Sequence, residues 1–172
     1  MMQSGLVELP VMPGSIEEFL RMQEELARTP EGGAAVLVMA LLLYRDNPDF
    51  GAACVAASVD RSRVTTDGSL RRGDARRIAE QFAANPGIPA AYIEGTTPGE
   101  GYALPALPWR LEMSTNPYSG DPGGDETKLF LSCSGADSPR PVSLRKDARG
   151  LWRAYEWSSL LMGIRPAGRR EG

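Results

Sequence analysis

The sequence predicts an α+β fold, in which about four N-terminal helical segments pack on one face of a C-terminal antiparallel β-meander of about four strands. Apolar residues recur at helical spacing in the first half of the chain, whereas period-2 alternation starts near Trp109 and recurs between turns rich in Gly and Pro. Helices followed by sequential strands, rather than alternating with them, are typical of the α+β class.

The 172 residues are expected to form one domain, because a chain that is 42% hydrophobic can build a sizeable core. We predict that it begins with an extended lead-in (1–14), followed by a helical half (15–84). A loop and antiparallel sheet half (88–166) and a disordered basic tail (167–172) complete the chain.

The first helix is predicted to begin at Ser15, because Glu18 follows three positions later. This spacing allows a reciprocal capping box, in which each side chain accepts a hydrogen bond from a backbone amide near the helix start. Ile16 and Phe19 lie on the apolar side of this helix, and the Thr29-Pro30 pair is expected to end it.

The second helix is predicted over Ala34–Tyr44, with Gly32-Gly33 separating it from the first. This segment is apolar on every side, which is typical of a helix buried on all sides. Its Val residues leave a buried strand as the alternative. Met39 is interpreted as a core residue rather than as part of a ligand site.

Two further helices have recognisable starts. Asn47-Pro48-Asp49 combines a cap, a proline at the first helical position and a first-turn carboxylate. Asp74 caps or opens a helix that continues to about Ala84. The following segment, 88–108, is expected to be an ordered loop, since its large apolar residues favour burial.

The first predicted strand begins at Trp109, and residues 127–157 predict a three-stranded meander. In its last run, Trp152, Ala154 and Glu156 share one face, so Glu156 is expected to be partly desolvated or to pair with an arginine on the adjacent strand. Residues 157–166 are expected to form a short helical turn.

The turn within residues 134–141 is the first candidate site. Two prolines that fix φ, and side chains that can bond nearby amides, predict a rigid connection, so that Asp137, Ser138 and Arg140 are well placed to bind an anionic or polar partner. The alternative is structural: Asp137 and Ser138 close the turn, and Arg140 pairs with a neighbouring carboxylate.

The composition disfavours several classes of chemistry. The chain contains no histidine, which removes the commonest general base and metal ligand, and we predict neither a cofactor nor a metal. Basic residues cluster in 61–79 and 140–172, but no nucleic-acid-binding motif accompanies them, so nucleic acid is an unexpected partner. These segments are expected to face acidic ones in the fold or on a protein partner.

A cytoplasmic protein is predicted. Cys54 and Cys133 both lie on predicted apolar faces, so reduced, buried thiols are expected. The first ten residues lack the pattern of a signal peptide, and the apolar run Ala34–Tyr44 is too short to span a bilayer.

Three phrases of the sequence are distinctive: Asn-Pro-Tyr-Ser at 116–119, Ser-Gly-Ala-Asp-Ser-Pro-Arg-Pro at 134–141 with Leu144-Arg145, and Trp-Ser-Ser-Leu-Leu at 157–161 with Gly-Ile-Arg-Pro at 163–166. Together they resemble a family of bacterial proteins classed as a domain of unknown function. The resemblance runs from about Leu41 to Pro166. It implies a bacterial source and a single domain, and it supplies no catalytic residue.

Three functional hypotheses follow. The first is a non-catalytic interaction or accessory protein that binds another protein through the rigid loop 134–145. The second is an enzyme without histidine that uses Asp137 or Glu156 with Arg140 or Arg145. The third is a small-ligand sensor with a pocket lined by Tyr92, Tyr102, Trp109 and Tyr118. The candidate binding residues are Asn116, Tyr118, Asp137, Ser138, Arg140, Arg145 and Glu156.

Overall fold

The computed structural model describes residues 3–121 and 123–168, with side chains from Gly5 onward. The predicted α+β class is confirmed. The helices are α1 (Ile16–Leu26), α2 (Pro30–Asp46), α3 (Pro48–Ser58) and α4 (Arg72–Ala84). The strands are β1 (Gln3–Leu9), β2 (Trp109–Thr115), β3 (Glu126–Leu131), β4 (Arg140–Lys146) and β5 (Trp152–Glu156).

The five strands form one antiparallel sheet in the order β1-β2-β3-β4-β5. The sequence predicted about four strands, because the lead-in was expected to be extended without a partner. Its residues pair along the whole of β2, from Gln3 opposite Thr115 to Leu9 opposite Trp109. Leu9 is fully buried. The lead-in therefore completes the sheet and contributes to the core.

Helix α2 is the centre of the core. All residues from Gly32 to Leu42 are buried, and the helix lies against α1, α3 and the inner face of the sheet. The predicted helix is confirmed here and the strand alternative is wrong. The expected separator, Gly32-Gly33, belongs to the first turns of α2. A Cβ on Gly32 would lie 1.6 Å from the Leu26 carbonyl oxygen, so the helix starts where only glycine fits.

The predicted starts of α1 and α3 are confirmed. Ser15 Oγ accepts a hydrogen bond from Glu18 N at 3.2 Å, whereas the Glu18 carboxylate accepts from Gly14 N at 2.8 Å, one residue earlier than in a capping box. Asn47 Oδ1 accepts from Phe50 N at 3.3 Å at the start of α3. Helix α4 begins at Arg72 and has no side-chain cap, so Asp74 lies in its first turn.

The segment between α4 and β2 is ordered, as predicted. It contains short 3-10 helices at Pro89–Tyr92 and Pro98–Glu100, and it buries Ile88, Ile93 and Tyr102. A further 3-10 helix at Ser158–Leu161 confirms the predicted helical turn after β5.

The predicted disordered tail is described only as far as Gly168, whose amide donates to the Pro98 carbonyl oxygen at 2.7 Å. Residues 169–172 lie outside the described residues. Over the part of the chain that the structure describes, no helix has the length and apolar character needed to cross a membrane.

Candidate functional site

A cavity of about 630 Å³ opens at one end of the inner face of the sheet. This is the end where β2 finishes, β3 and β5 begin, and α2 starts. The cavity volume falls within the range that small-molecule sites occupy, roughly 300 to 1,000 Å³. Its walls come from the first residues of α2, from the β2–β3 connection, and from Thr127, Leu129 and Trp152.

The β2–β3 wall of the cavity is held by a hydrogen-bonded turn at residues 116–119. Asn116 Oδ1 accepts from Tyr118 N at 2.8 Å, and Asn116 N donates to Ser119 Oγ at 3.0 Å. The Ser119 carbonyl oxygen accepts from Lys128 N at 2.9 Å, which ties the turn to β3. This turn is the kind that Asn favours, because its short side chain bonds to the backbone two residues on. One wall of the cavity is therefore rigid.

The opposite wall is the start of α2. Thr29 Oγ1 accepts from Gly32 N at 3.0 Å, and Pro30 occupies the first helical position, where its missing N–H costs no hydrogen bond. Glu31 follows in the first turn and lines the cavity. The Thr29-Pro30 pair was predicted to end α1, but it caps the next helix instead.

Trp152 lines the cavity from β5. Trp152 is 7% exposed. Its backbone packs closely against α2, since a Cβ on Gly33 would lie 2.6 Å from the Trp152 carbonyl oxygen. The ammonium of Lys146 lies 5.8 Å from the centre of the Trp152 ring. The backbone of Trp152 is thus held by its neighbours, which favours a site of defined shape.

Among the predicted binding residues, Asn116 and Tyr118 belong to this region. Asn116 lines the cavity, whereas Tyr118 lies in the same turn and is 89% exposed. A large aromatic side chain that a rigid turn holds in solvent is suited to contacting a partner or ligand. The structure therefore brings these two residues together, without testing whether they bind anything.

A second group of predicted residues lies beside the C-terminal segment. Asp137 forms an ion pair with Arg165 and is 91% exposed, and Arg140 Nη2 donates to the Gly163 carbonyl oxygen at 3.1 Å. Arg165 N also donates to the Gly135 carbonyl oxygen at 2.9 Å. Ser138 is exposed at the apex of the loop. These contacts join the loop to the C-terminal segment, and the partner of Arg140 is a carbonyl group rather than the carboxylate expected.

The third group lies on β4 and β5. Arg145 Nε donates to Glu126 Oε1 at 2.9 Å, and the Arg145 guanidinium lies 3.9 Å from the centre of the Tyr155 ring. The Glu156 carboxylate lies 3.7 Å from Arg63 Nη2 and is 67% exposed, so it is not desolvated as hypothesised. Its arginine partner belongs to the 3-10 turn Arg61–Arg63 and not to an adjacent strand.

Three of the four aromatic residues that were expected to line a pocket make structural contacts, although Tyr92 also lines a small cavity beside Cys133. Tyr92 Oη donates to the Leu160 carbonyl oxygen at 2.7 Å, and Trp109 Nε1 donates to the Pro105 carbonyl oxygen at 2.7 Å. The Tyr102 hydroxyl donates to the Arg165 carbonyl oxygen. All three are buried. They fill the core and satisfy buried carbonyl groups, the alternative role of such residues.

A smaller cavity of about 240 Å³ lies between the loop after α4 and the start of the β3–β4 connection. Cys133 lines it, and burial raises the pKa of this thiol. A raised pKa lowers the thiolate fraction and so disfavours nucleophilic chemistry. Within residues 3–121 and 123–168, the acidic and cysteine side chains form no cluster of three or more that could hold a metal ion.

The sequence analysis missed Trp152, Glu31 and Asp121 as cavity residues. Trp152 was assigned to a strand face shared with Ala154, which is correct, but its position beside α2 depends on contacts between distant parts of the chain. A usable signal was present at Thr29-Pro30-Glu31, where a cap, a proline and an acidic residue mark the start of a helix.

Comparisons with known proteins identify the family alone. The searches of curated proteins and of solved structures found no match to this sequence. A family model described as a domain of unknown function, DUF6935, matches residues 11–168, more of the N-terminal half than the resemblance covered. The bacterial source that the three phrases implied stays a prediction. The match spans most of the sequence, and the chain therefore belongs to the DUF6935 family.

Proposed function

We propose that this chain is a non-catalytic binding protein that holds a small ligand in the cavity between the start of α2 and the β2–β3 connection. The observation that carries the proposal is a cavity of about 630 Å³ with one wall fixed by the Asn116 turn and the other by a capped helix. Preformed walls reduce the entropy cost of binding. Tyr118, exposed in the same turn, is available to contact a bound molecule.

Filling the cavity tests this proposal. Thr115 lines the cavity at the end of β2, whereas the preceding residue, Ser114, lies on the other face of the strand and outside the cavity. We expect Thr115→Trp to abolish binding and Ser114→Trp to preserve it. The measurement is thermal unfolding in the presence of a library of small amines, sugars, carboxylates and nucleotides, followed by calorimetry of the compounds that stabilise the protein.

Two results would count against the small-ligand proposal. One is a library in which no compound raises the melting temperature of the unmodified protein. The other is stabilisation of equal size in Thr115→Trp, which would locate binding elsewhere on the molecule.

The protein-interaction hypothesis for loop 134–145 is the second candidate. It is supported by an exposed apex at Ser138-Pro139 and by Met162, an exposed apolar side chain next to the Gly163 carbonyl group that Arg140 binds. Asp137 and Arg145 of this loop already form ion pairs within the chain, and Arg140 donates to the Gly163 carbonyl oxygen. A protein partner would therefore rely on the apex and on Met162 more than on new ion pairs.

A pull-down from the native host tests the second candidate. Ser138→Trp places a bulky side chain at the apex without removing an internal contact, whereas Arg140→Ala would also remove the bond to Gly163. We expect one protein partner to be recovered with the unmodified chain and with the exposed α1 variant Glu17→Trp, and to be lost with Ser138→Trp. Recovery that is the same for all three proteins would refute the loop as the interface.

A cytoplasmic location in a bacterium is part of the same proposal. It is supported by the free thiols of Cys54 and Cys133, since reduced cysteines are typical of that compartment. Fractionation of the native host, with immunodetection of the chain, tests it.

A further inference from the structure

We infer that the ligand of the cavity is a small organic cation that also carries a hydroxyl or ether oxygen. This inference rests on the proposed function, because it assigns a chemical class to the ligand of that same cavity. It is drawn from the charges of the lining, the donors available to an anion and the indole of Trp152.

The charged residues of the lining are both acidic. Glu31 lies at the start of α2 and Asp121 on the β2–β3 connection, and no Lys or Arg joins them in the lining. Neither carboxylate forms a salt bridge with another of the described residues. Two carboxylates without cationic partners at one cavity give it a negative potential, which attracts cations and repels anions.

The start of α2 is the feature that would favour an anion instead, because a helix N-terminus carries about half a positive charge. Its amides are mostly occupied. Pro30 has no N–H, Gly32 N donates to Thr29 Oγ1, and Gly33 N donates to the Thr29 carbonyl oxygen. Of the first amides of α2, this leaves the Glu31 N–H to donate to a ligand, and the Glu31 side chain carries a full negative charge. The start of the helix therefore does little to favour an anion.

Lys146 is a cationic residue near Trp152, and its positive charge is largely offset by a neighbouring carboxylate. Its ammonium lies 3.4 Å from Asp125 Oδ1 and beside the Trp152 ring, and Lys146 does not line the cavity. The group of Trp152 that can donate a hydrogen bond to a ligand is its indole N–H.

The indole N–H of Trp152 is the second, independent indication of a ligand. Trp152 is more than nine-tenths buried, yet the hydrogen bonds of the described residues include none from its Nε1, whereas Trp109 Nε1 donates to Pro105. Among the described residues, the fully buried side-chain nitrogen and oxygen atoms that lack a hydrogen-bond partner are Asp74 Oδ2 and Arg140 Nε. Trp152 Nε1 is not among these atoms, and we place its N–H on the cavity that Trp152 lines. A donor there matches an oxygen acceptor on the ligand.

Two matched series of probes test the inference. Glucosamine, glucose and glucuronate share a ring but differ in charge, and ethanolamine, ethylene glycol and glycolate do the same at a smaller size. We expect calorimetry at low salt to detect binding of at least one of the two amines, at least tenfold tighter than its neutral counterpart, with no binding of the acids. Binding should weaken as salt is added, since salt screens the carboxylates.

Single substitutions test whether the lining residues of the cavity bind the amine. Glu31→Gln and Asp121→Asn keep the shape of the cavity and remove one charge each, and each should weaken amine binding by about tenfold. Glu25→Gln removes a charge from the exposed face of α1 and should leave binding unchanged. Trp152→Phe removes the N–H and should weaken binding of the amine, with circular dichroism used to verify folding.

The outcomes separate this inference from the proposed function. A neutral or acidic probe could bind as tightly as the amines and lose its binding in Thr115→Trp. This result would keep the cavity as a ligand site and overturn the inference that its ligand is a cation. Amine binding that survives both charge-removing variants would also overturn it. If no probe of either series binds and the broader library stabilises nothing, both the inference and the proposed function fail.

Discussion

Gly33 of α2 lies directly against Trp152 of β5, so closely that a Cβ at Gly33 would be 2.6 Å from the Trp152 carbonyl oxygen and 2.9 Å from its Cβ. This contact joins the central helix to the sheet beside the candidate cavity, which Trp152 lines. Trp152 N also donates to the Ala27 carbonyl oxygen at 2.8 Å, so the backbone here has little freedom to move. The helix start, the strand and the cavity therefore form one packed unit.

Replacement of Gly33 with Ala should destabilise the protein. The added methyl group must displace backbone atoms of β5, and overpacking of this kind costs about 1 to 3 kcal/mol. Ala normally stabilises a helix relative to Gly, so a loss here would identify the close approach as the cause. Gly73→Ala in α4 is the matched control, because a Cβ there meets no atom within 4 Å. Urea unfolding measures both, and equal or greater stability in Gly33→Ala would contradict the packing described.

The hydroxyl of Tyr92 should stabilise the fold through one buried hydrogen bond. It donates to the Leu160 carbonyl oxygen at 2.7 Å, joining the loop before β2 to the 3-10 turn after β5. Tyr92→Phe leaves that carbonyl oxygen without this donor, which costs about 1 to 3 kcal/mol. Tyr118→Phe changes the same group on an exposed side chain and should leave the free energy of unfolding unchanged. Equal effects of the two variants in urea unfolding would refute the role given to Tyr92.

Local chemistry made much of the helical half predictable. Ser15 and Asn47 each accept a hydrogen bond from the amide three residues later, and the apolar segment Ala34–Tyr44 lies within the central helix α2. These features depend on neighbours in sequence, as caps and periodicity do. The first strand was missed because its pairing depends on β2, which is far away along the chain.

The candidate site was only partly predictable for the same reason. Asn116 was identified because its turn is local, whereas Trp152 and Glu31 meet at the cavity through tertiary packing. Of the tyrosines expected in a pocket, Tyr92 and Tyr102 are buried and donate to carbonyl groups, because a polar tip on an aromatic ring suits a buried carbonyl group as well as a ligand. Sequence alone does not separate these two uses.

Stability should depend on pH through Asp147. Burial alone would raise the pKa of its carboxyl group, but hydrogen bonds from the amides of Leu151 and Arg149 and from the Arg153 side chain together hold this pKa below its usual range. A folded pKa below the unfolded value of about 4 means that the stabilisation is present above pH 4 and is lost as pH falls through the folded pKa.

The test of this dependence is Asp147→Asn. We expect a loss of about 1 to 3 kcal/mol at pH 7, because the charged hydrogen bond to Arg153 is removed, and a difference from the unmodified protein that shrinks below pH 4. Glu25→Gln, on the exposed face of α1, should change neither the free energy of unfolding at pH 7 nor its dependence on pH. The measurement is urea unfolding from pH 7 to pH 3. A difference between Asp147→Asn and the unmodified protein that stays constant over this interval would contradict the assignment.

Cys54 should resist alkylation for as long as the protein is folded. Its side chain is fully buried in α3, and burial raises the pKa of the thiol to about 12. The reactive thiolate is therefore scarce at pH 8, and the reagent has no access to the sulfur. We expect mass spectrometry after iodoacetamide treatment to find Cys54 unmodified in buffer and fully modified in urea. Cys133 is partly exposed in the folded protein and provides the internal comparison. Modification of Cys54 in buffer at the rate measured in urea would mean that the packing of α3 against α2 opens without global unfolding.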